Sequence, residues 1–422
     1  MLIAQKLTPN LKDGKTKKLR KMPDYRLKLG ILQDPNLPMP YITDIKKRFA
    51  HTYIIGKTGT GKSVLMERMA DYDIKFGLPT IFIDPKGDSV NKLTGNSNYQ
   101  YISFKHPVKI NPLRRKGYKV DTLIREFTDV MDIMITATTI NPEATVRMKE
   151  ILAKAIKGFK EEDRNLHFLN KFLSFKDVRE EYCRKGFTDS ATIQWFKEIE
   201  SLSKSGTKKV SDYINTMSSI ASRLSQFLDN DEMKQFLTTG ENEFDIADFI
   251  ESGKSLLVNT NTSDNDNQRF LSALILYSVF SYIKDEKVKK PLMIYIDEFQ
   301  TSVNSSFPTL LQFARSCQVG FTISHHDFLE INPKVLSSIF GIVGSYVVFN
   351  CGDTEAERLA GIVRVKSSDI MDLVDYTAYL RLGIKNSLIK TFPPLLNSFI
   401  PPHEEEPQEP VYNFLSNDWI MI

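Results

Sequence analysis

The sequence predicts an α/β fold: a mostly parallel sheet flanked by helices, with an all-α domain inserted into it. Three observations lead there. A strand, a glycine-rich turn, a helix and a second strand follow one another within the first hundred residues; helical periods alone fill about 121–249; and short apolar strands alternating with helices resume at 255. With 422 residues, two or three domains are expected at about 150 residues each. The composition, 41% hydrophobic and 26% charged, is that of an ordinary globular chain and excludes a disordered or fibrous one.

In chain order, residues 1–30 carry nine Lys/Arg against Asp13 and Asp24, a local net charge of +7, whereas the whole chain carries only +4. Such an arm suits phosphate-backbone contacts, and equally a solvated flexible segment. Residues 29–50, with several prolines and no sustained period, read as a turn-rich lead-in to a first core strand at 52–55. A glycine-rich turn and a helix ended by Gly77 follow, then a second strand at 80–83 that runs into Asp84-Pro85-Lys86-Gly87-Asp88. Helical periods mark 121–138, 143–159, 191–204 and 210–227, without an alternating strand between them. Further strands are expected at 255–259, 292–296, 321–324 and 345–350, separated by helices near 266–284, 308–317 and 354–361. This gives a basic arm and lead-in (1–50), a core in two pieces (51–120 and 250–395), a helical insertion (121–249) and an acidic, Pro-rich tail (396–422).

Several classes are set aside. Cys183, Cys317 and Cys351 are too few and too far apart for a disulfide scaffold or a zinc site. The longest apolar run, 270–283, falls short of the roughly 20 residues of a membrane helix and reads as a core helix. The N-terminus lacks the apolar stretch of a secretory signal, so the cytoplasm is the expected compartment.

The sharpest motif is Gly56, Lys57, Thr58, Gly59, Thr60, Gly61, Lys62, Ser63, which satisfies G-x-x-x-x-G-K-[ST] between a strand and a helix. Glycines let backbone N–H groups converge on phosphates, and the helix N-terminus adds partial positive charge. Lys62 is then placed to reach the β- and γ-phosphates of ATP, and the Ser63 hydroxyl to sit on Mg²⁺. The second motif is the apolar strand 292–296 followed by Asp297 and Glu298. Open α/β sheets bind ligands at their C-terminal strand ends, where Asp297 can enter a Mg²⁺ shell and Glu298 can polarise a water. Two acids there could instead cap the next helix. Asp84 and Lys86 close the second strand at the same edge and are candidate nucleotide contacts, although turn chemistry also accounts for them. Arg315 falls on the helix opened by Pro308, where a surface charge is the ordinary reading, and His326 ends the strand at 321–324 without a third metal ligand nearby.

These residues resemble the HerA/FtsK superfamily of P-loop motor ATPases, most closely the conjugative DNA-transfer coupling proteins of type IV secretion. The likeness runs through RFAHTYIIGKTGTGKS, GLPTIFIDPKGDSV, INPLR, GKSLLVNTN, YIDEFQ, LLQFARSCQVGFTISHH, GSYVVFNCGDTEAERLA and YTAYLRL, with an all-α domain inserted between two nucleotide motifs 235 residues apart. The resemblance implies a RecA/FtsK-like sheet, residues 56–63 as Walker A loop, Asp297 and Glu298 as Walker B metal holder and catalytic glutamate, and Arg315 as an arginine finger given to a neighbouring subunit. His326 stands where the family usually has a γ-phosphate-sensing glutamine, a departure that bears on sensing, since a neutral imidazole still hydrogen-bonds. The expected function is a homo-hexameric, ATP- and Mg²⁺-dependent DNA translocase that delivers DNA in conjugative transfer. Relaxase or secretion-channel proteins are its expected partners, and without a membrane-spanning segment of its own a partner would hold it at the inner face of the membrane. A HerA-like translocase in DNA processing, anti-phage defence or genome packaging shares the same motifs. A nucleotide-gated adaptor without motor activity is the alternative from a different class.

Overall fold

The computed structural model describes residues 25–34, 38–95, 98–136, 142–203, 208–240, 242–284, 290–383 and 385–395. The basic stretch before residue 25, the tail 396–422 and the outermost residues expected in two insertion helices (137–138 and 204) lie outside the described residues.

The described strands are β1 (Leu27–Leu32), β2 (Pro40–Thr43), β3 (Thr52–Ile55), β4 (Thr80–Asp84), β5 (Tyr99–Ser103), β6 (Ser255–Asn259), β7 (Leu292–Ile296), β8 (Val319–His325), β9 (Ser345–Val348), β10 (Thr377–Leu382) and β11 (Lys385–Lys390). They form one sheet in the order β2-β1-β11-β10-β9-β3-β8-β7-β4-β6-β5. From β9 to β5 every pairing is parallel, and β10, β11, β1 and β2 extend the sheet with antiparallel pairs. The parallel strands are buried on both faces, as helices on either side require.

Side chains alternate between two apolar clusters. Ile81, Ile83, Ile294, Ile296, Phe321 and Ile323 face one way. Ile54, Phe82, Met293, Tyr295 and Val347 face the other, against Leu65, Met66, Met69 and Ala70 of the helix Lys62–Lys75. The first cluster runs without a break through the helix Asn265–Lys284, buried from Phe270 to Ile283 as a core helix should be, into Val120–Thr136 and the helices beyond it. No helix among the described residues is long and apolar enough to cross a membrane.

The segment expected as a turn-rich lead-in is instead β1, β2 and the short helix Ile45–Arg48. Pro40 and Gly30 have other uses. Pro40 opens an edge strand, where no ladder N–H is needed, and a Cβ at Gly30 would come within 2.4 Å of the Lys390 carbonyl on the facing strand. Strands β5, β10 and β11, and the helices Leu166–Ser174, Lys176–Lys185 and Pro333–Ile342, are further elements that periodicity did not yield.

Candidate nucleotide site

Strand order and register assemble the site. Strand β8 lies between β3 and β7, and β4 lies on the far side of β7. Ile55 pairs with His325, Ile296 with Ile323 and Ile83 with Ile296. Residues 56, 84, 297 and 324–326 therefore reach the C-terminal rim at about the same height, although they are scattered over 270 residues of sequence.

The loop after β3 needs glycines for steric reasons. Gly61 has φ +110, and a Cβ on it would lie 2.9 Å from the Tyr376 ring; a Cβ on Gly56 would lie 2.6 Å from Cβ of Phe349. Lys62 Nζ is held by the carbonyls of Gly56 (2.6 Å) and Lys57 (3.0 Å). Burial pushes the Lys62 pKa down while the Glu298 and Asp297 charges resist. Thr58 and Gly59 lie exposed at the loop tip, Gly59 with φ +86.

Asp297, 2% exposed, ties the elements together. Its Oδ2 accepts from the Ser63 hydroxyl at 2.8 Å, and its Oδ1 accepts from Ser324 Oγ and from the Glu298 N–H. Glu298 sits in the left-handed region (φ 47, ψ 51), a conformation that cost sets apart for constrained positions. Its Oε1 accepts from Lys86 Nζ at 2.7 Å, and its Oε2 from Gln300 Nε2 at 3.1 Å. His326 Nδ1 lies 3.0 Å from that same Oε2. Burial alone would raise the Glu298 pKa, but the hydrogen bonds from Lys86, Gln300 and His326 hold it down at about 2.

Asp84 is built in differently. Its Oδ1 accepts from the Lys86 N–H and its Oδ2 from the N–H groups of Ser89 and Val90, so its carboxylate fastens the turn that aims Lys86. Burial first, and the Asp297 charge second, push its pKa up to about 6. Asn261 Nδ2 and Gln268 Nε2 hold the same turn through the carbonyls of Lys86 and Pro85.

Arg315 is not brought to this cluster. It is exposed at the end of the helix Phe307–Ser316, which feeds the start of β8, and its charge acts on His51, just ahead of β3. That is the N-terminal rim, across the sheet from the phosphate loop. Gln300, Ser324 and Tyr376 join the site; all three lie in segments that carry the family likeness, but the motifs gave none of them a role. For Gln300, its place two residues after Glu298 was a usable signal.

Residues 27–279 match the family described as Helicase HerA, central domain (DUF87). The chain belongs to that family. The protein YddE of Bacillus subtilis (strain 168), itself uncharacterised, is 24% identical over 186 residues, 44% of this chain and 22% of YddE. The chain thus spans about a fifth of that relative's length. Among solved structures, the plasmid coupling protein TrwB in complex with the ATP analogue ADPNP superposes with a TM-score of 0.63 at 17% identity, covering 90% of this chain and 91% of TrwB. TrwB with ADP and Mg²⁺ gives 0.58 at 17% identity over 89% and 96%. VirB4 of Thermoanaerobacter pseudethanolicus gives 0.58 at 12% identity over 87% and 96%. This HerA-family chain thus has the P-loop fold of the conjugative coupling protein TrwB.

Proposed function

We propose that the protein is a ring-forming, ATP-driven DNA translocase of the coupling type, a homo-hexamer that delivers DNA in conjugative transfer. The observation that carries the reading is the hydrogen bond from Ser63 to Asp297, which joins the phosphate loop to the strand-end carboxylates beside Glu298 and His326. The oxygens present suit Mg²⁺: one hydroxyl and one carboxylate leave room for waters and phosphate oxygens, as this ion prefers. Ser63 and Asp297 would hold it, and when bound it neutralises charge that develops on the phosphates. TrwB, solved in complex with ADPNP and with ADP and Mg²⁺, supports ATP and Mg²⁺ as the ligands here.

In this mechanism residues 56–63 cradle the phosphates, with Lys62 moving from its loop carbonyls to them. Lys86 aims the Glu298 carboxylate and keeps it ionised, and that carboxylate orients and polarises the attacking water. His326, hydrogen-bonded to Glu298, stands where the γ-phosphate can be sensed. Arg315, on the opposite rim, serves the site of the adjacent subunit. The helical stretch 121–249 faces the cargo, the 51–120 and 250–395 pieces form the motor, and partners such as a relaxase or channel protein bring the cytoplasmic ring to the membrane.

The HerA match over 27–279 also supports a second reading in the same motor class, a translocase in DNA processing, defence or packaging. The test common to both is ATP hydrolysis with and without DNA over a protein-concentration series. DNA-stimulated turnover that rises with self-association is expected, with a loss on the order of 10² to 10⁴ in Glu298→Gln. Tight ATP binding with negligible turnover, indifferent to DNA and concentration, would leave a nucleotide-gated adaptor in place of the motor.

A further inference from the structure

We infer that Tyr376 is the base shelf of the nucleotide site: its ring stacks on the nucleobase of a nucleotide whose phosphates occupy the 56–63 loop. The inference rests on the nucleotide reading above and adds to it the part of the ligand that the loop does not hold.

Tyr376 is fixed by its backbone rather than by its ring. Its N–H donates to the Thr60 carbonyl at 2.8 Å, and its own carbonyl accepts from the Thr391 N–H at 2.8 Å and from Thr391 Oγ1 at 3.1 Å. These bonds hold it at φ +62, a region that a bulky side chain seldom occupies and that persists only where the surroundings over-determine it. The product of that constraint is a ring laid beside Gly61, the residue that opens the helix Lys62–Lys75.

A tyrosine so placed stays 36% exposed, so an aromatic ring borders the phosphate loop without being covered. The segment after β11 lies along the same helix, where Arg68 Nε and Nη2 donate to the carbonyls of Pro393 (2.7 Å) and Pro394 (3.2 Å). Phosphates held at the start of this helix are joined to the base by a single ribose. The base must therefore land on the surface bordering the first helical turn, and Tyr376 is the exposed aromatic ring there. A flat π-face is what a base stacks on, whichever base it is.

Calorimetric titration of the full chain with MgATP and with Mg-tripolyphosphate, which has the phosphates and no base, separates the possibilities. Tyr376→Ala is expected to weaken ATP about tenfold, within the range for loss of one base–aromatic stack, and to leave tripolyphosphate affinity unchanged. Tyr376→Phe should keep wild-type affinity for both. In Tyr376→Trp, ATP should quench the new indole and tripolyphosphate should not. Equal weakening of both ligands in Tyr376→Ala would make the ring a brace for the loop and overturn the shelf. Unchanged ATP affinity in that variant would also overturn it, as would wild-type protein that binds ATP no better than tripolyphosphate. A wild-type protein that binds neither ligand removes the nucleotide reading itself, a different result from the loss of the shelf alone.

Discussion

The two rims of the sheet handle charge in opposite ways. At the N-terminal rim charges are closed into the fold: Arg48 and Asp73, 3.2 Å apart, have side chains 3% and 0% exposed and share the hydroxyls of Tyr25 and Tyr295. His51 is buried there with both ring nitrogens in use. At the C-terminal rim the pairs stay reachable, with Lys86 52% and His326 37% exposed beside a Glu298 held ionised. Buried pairs of the first kind hold elements in register; accessible pairs of the second kind can exchange partners with a ligand. Arg315 differs from these closed groups, being an exposed cation on the same rim.

The largest effect expected follows from that exception. Arg315→Ala should lower assembly-dependent ATP turnover by about 10³ to 10⁵, the range for a lost arginine finger, while leaving nucleotide affinity intact. Mixing Arg315→Ala with Glu298→Gln should restore part of the activity, because some interfaces then combine an intact arginine with an intact glutamate. If the mixture stays as inactive as either variant alone, Arg315 does not act in trans and the division of labour between rims fails.

A charge closed into the fold should act on stability instead. Asp73→Asn leaves Arg48 buried without its counter-charge, and breaking such a pair costs about 3–5 kcal/mol. Denaturant titration should show that loss, with ATP affinity of the folded fraction unchanged. A loss below about 1 kcal/mol, the scale of surface pairs, would place the pair with the accessible kind.

How far the sequence exposed this arrangement depends on where the information lay. The phosphate loop, Asp297 and Glu298 were legible because their residue types and flanking strand and helix are local. The parallel core strands were legible as apolar runs. Strands β1, β2 and β11 were not: LKLGIL contains the glycine demanded by the approach of β11, PYIT starts with proline, and KNSLIK is a mostly polar strand with a single fully buried position. Strand order is set by long-range pairing, so the placement of β8 between β3 and β7 could not be read locally, nor could the hydrogen bond of Ser324 to Asp297. Tyr376 escaped for the same reason, as its partner Gly61 lies 315 residues earlier. Asp84 was legible as a residue of the site edge, but its engagement with the N–H groups of Lys86, Ser89 and Val90 is a matter of turn geometry.

The smallest effect is a pH dependence at the closed rim. Burial, with the Arg315 charge adding to it, pushes His51 down to about 4, against a hydrogen bond to the Leu311 carbonyl that works the other way. His51 Nε2–H donates to that carbonyl at 2.7 Å and Nδ1 accepts from the Phe321 N–H at 3.1 Å, so the neutral ring is the form the fold uses. The folded pKa lies below the unfolded value of 6.5, so the unfolded chain takes up the proton first. The stability due to neutral His51 is complete above about 6.5 and is lost as pH falls toward 4. Between pH 7 and 4.5 the wild type should lose about 2–3 kcal/mol from this group. Asp84 and Asp129, both pushed up to about 6, titrate with the opposite sign in the same window, so the wild-type curve alone would hide the effect. Comparing wild type with His51→Gln cancels them: the variant should be less stable at pH 7, and the gap should narrow at pH 4.5. A gap of constant size would mean that His51 is not held neutral by the fold, and the N-terminal rim would then carry a titrating charge like its counterpart across the sheet.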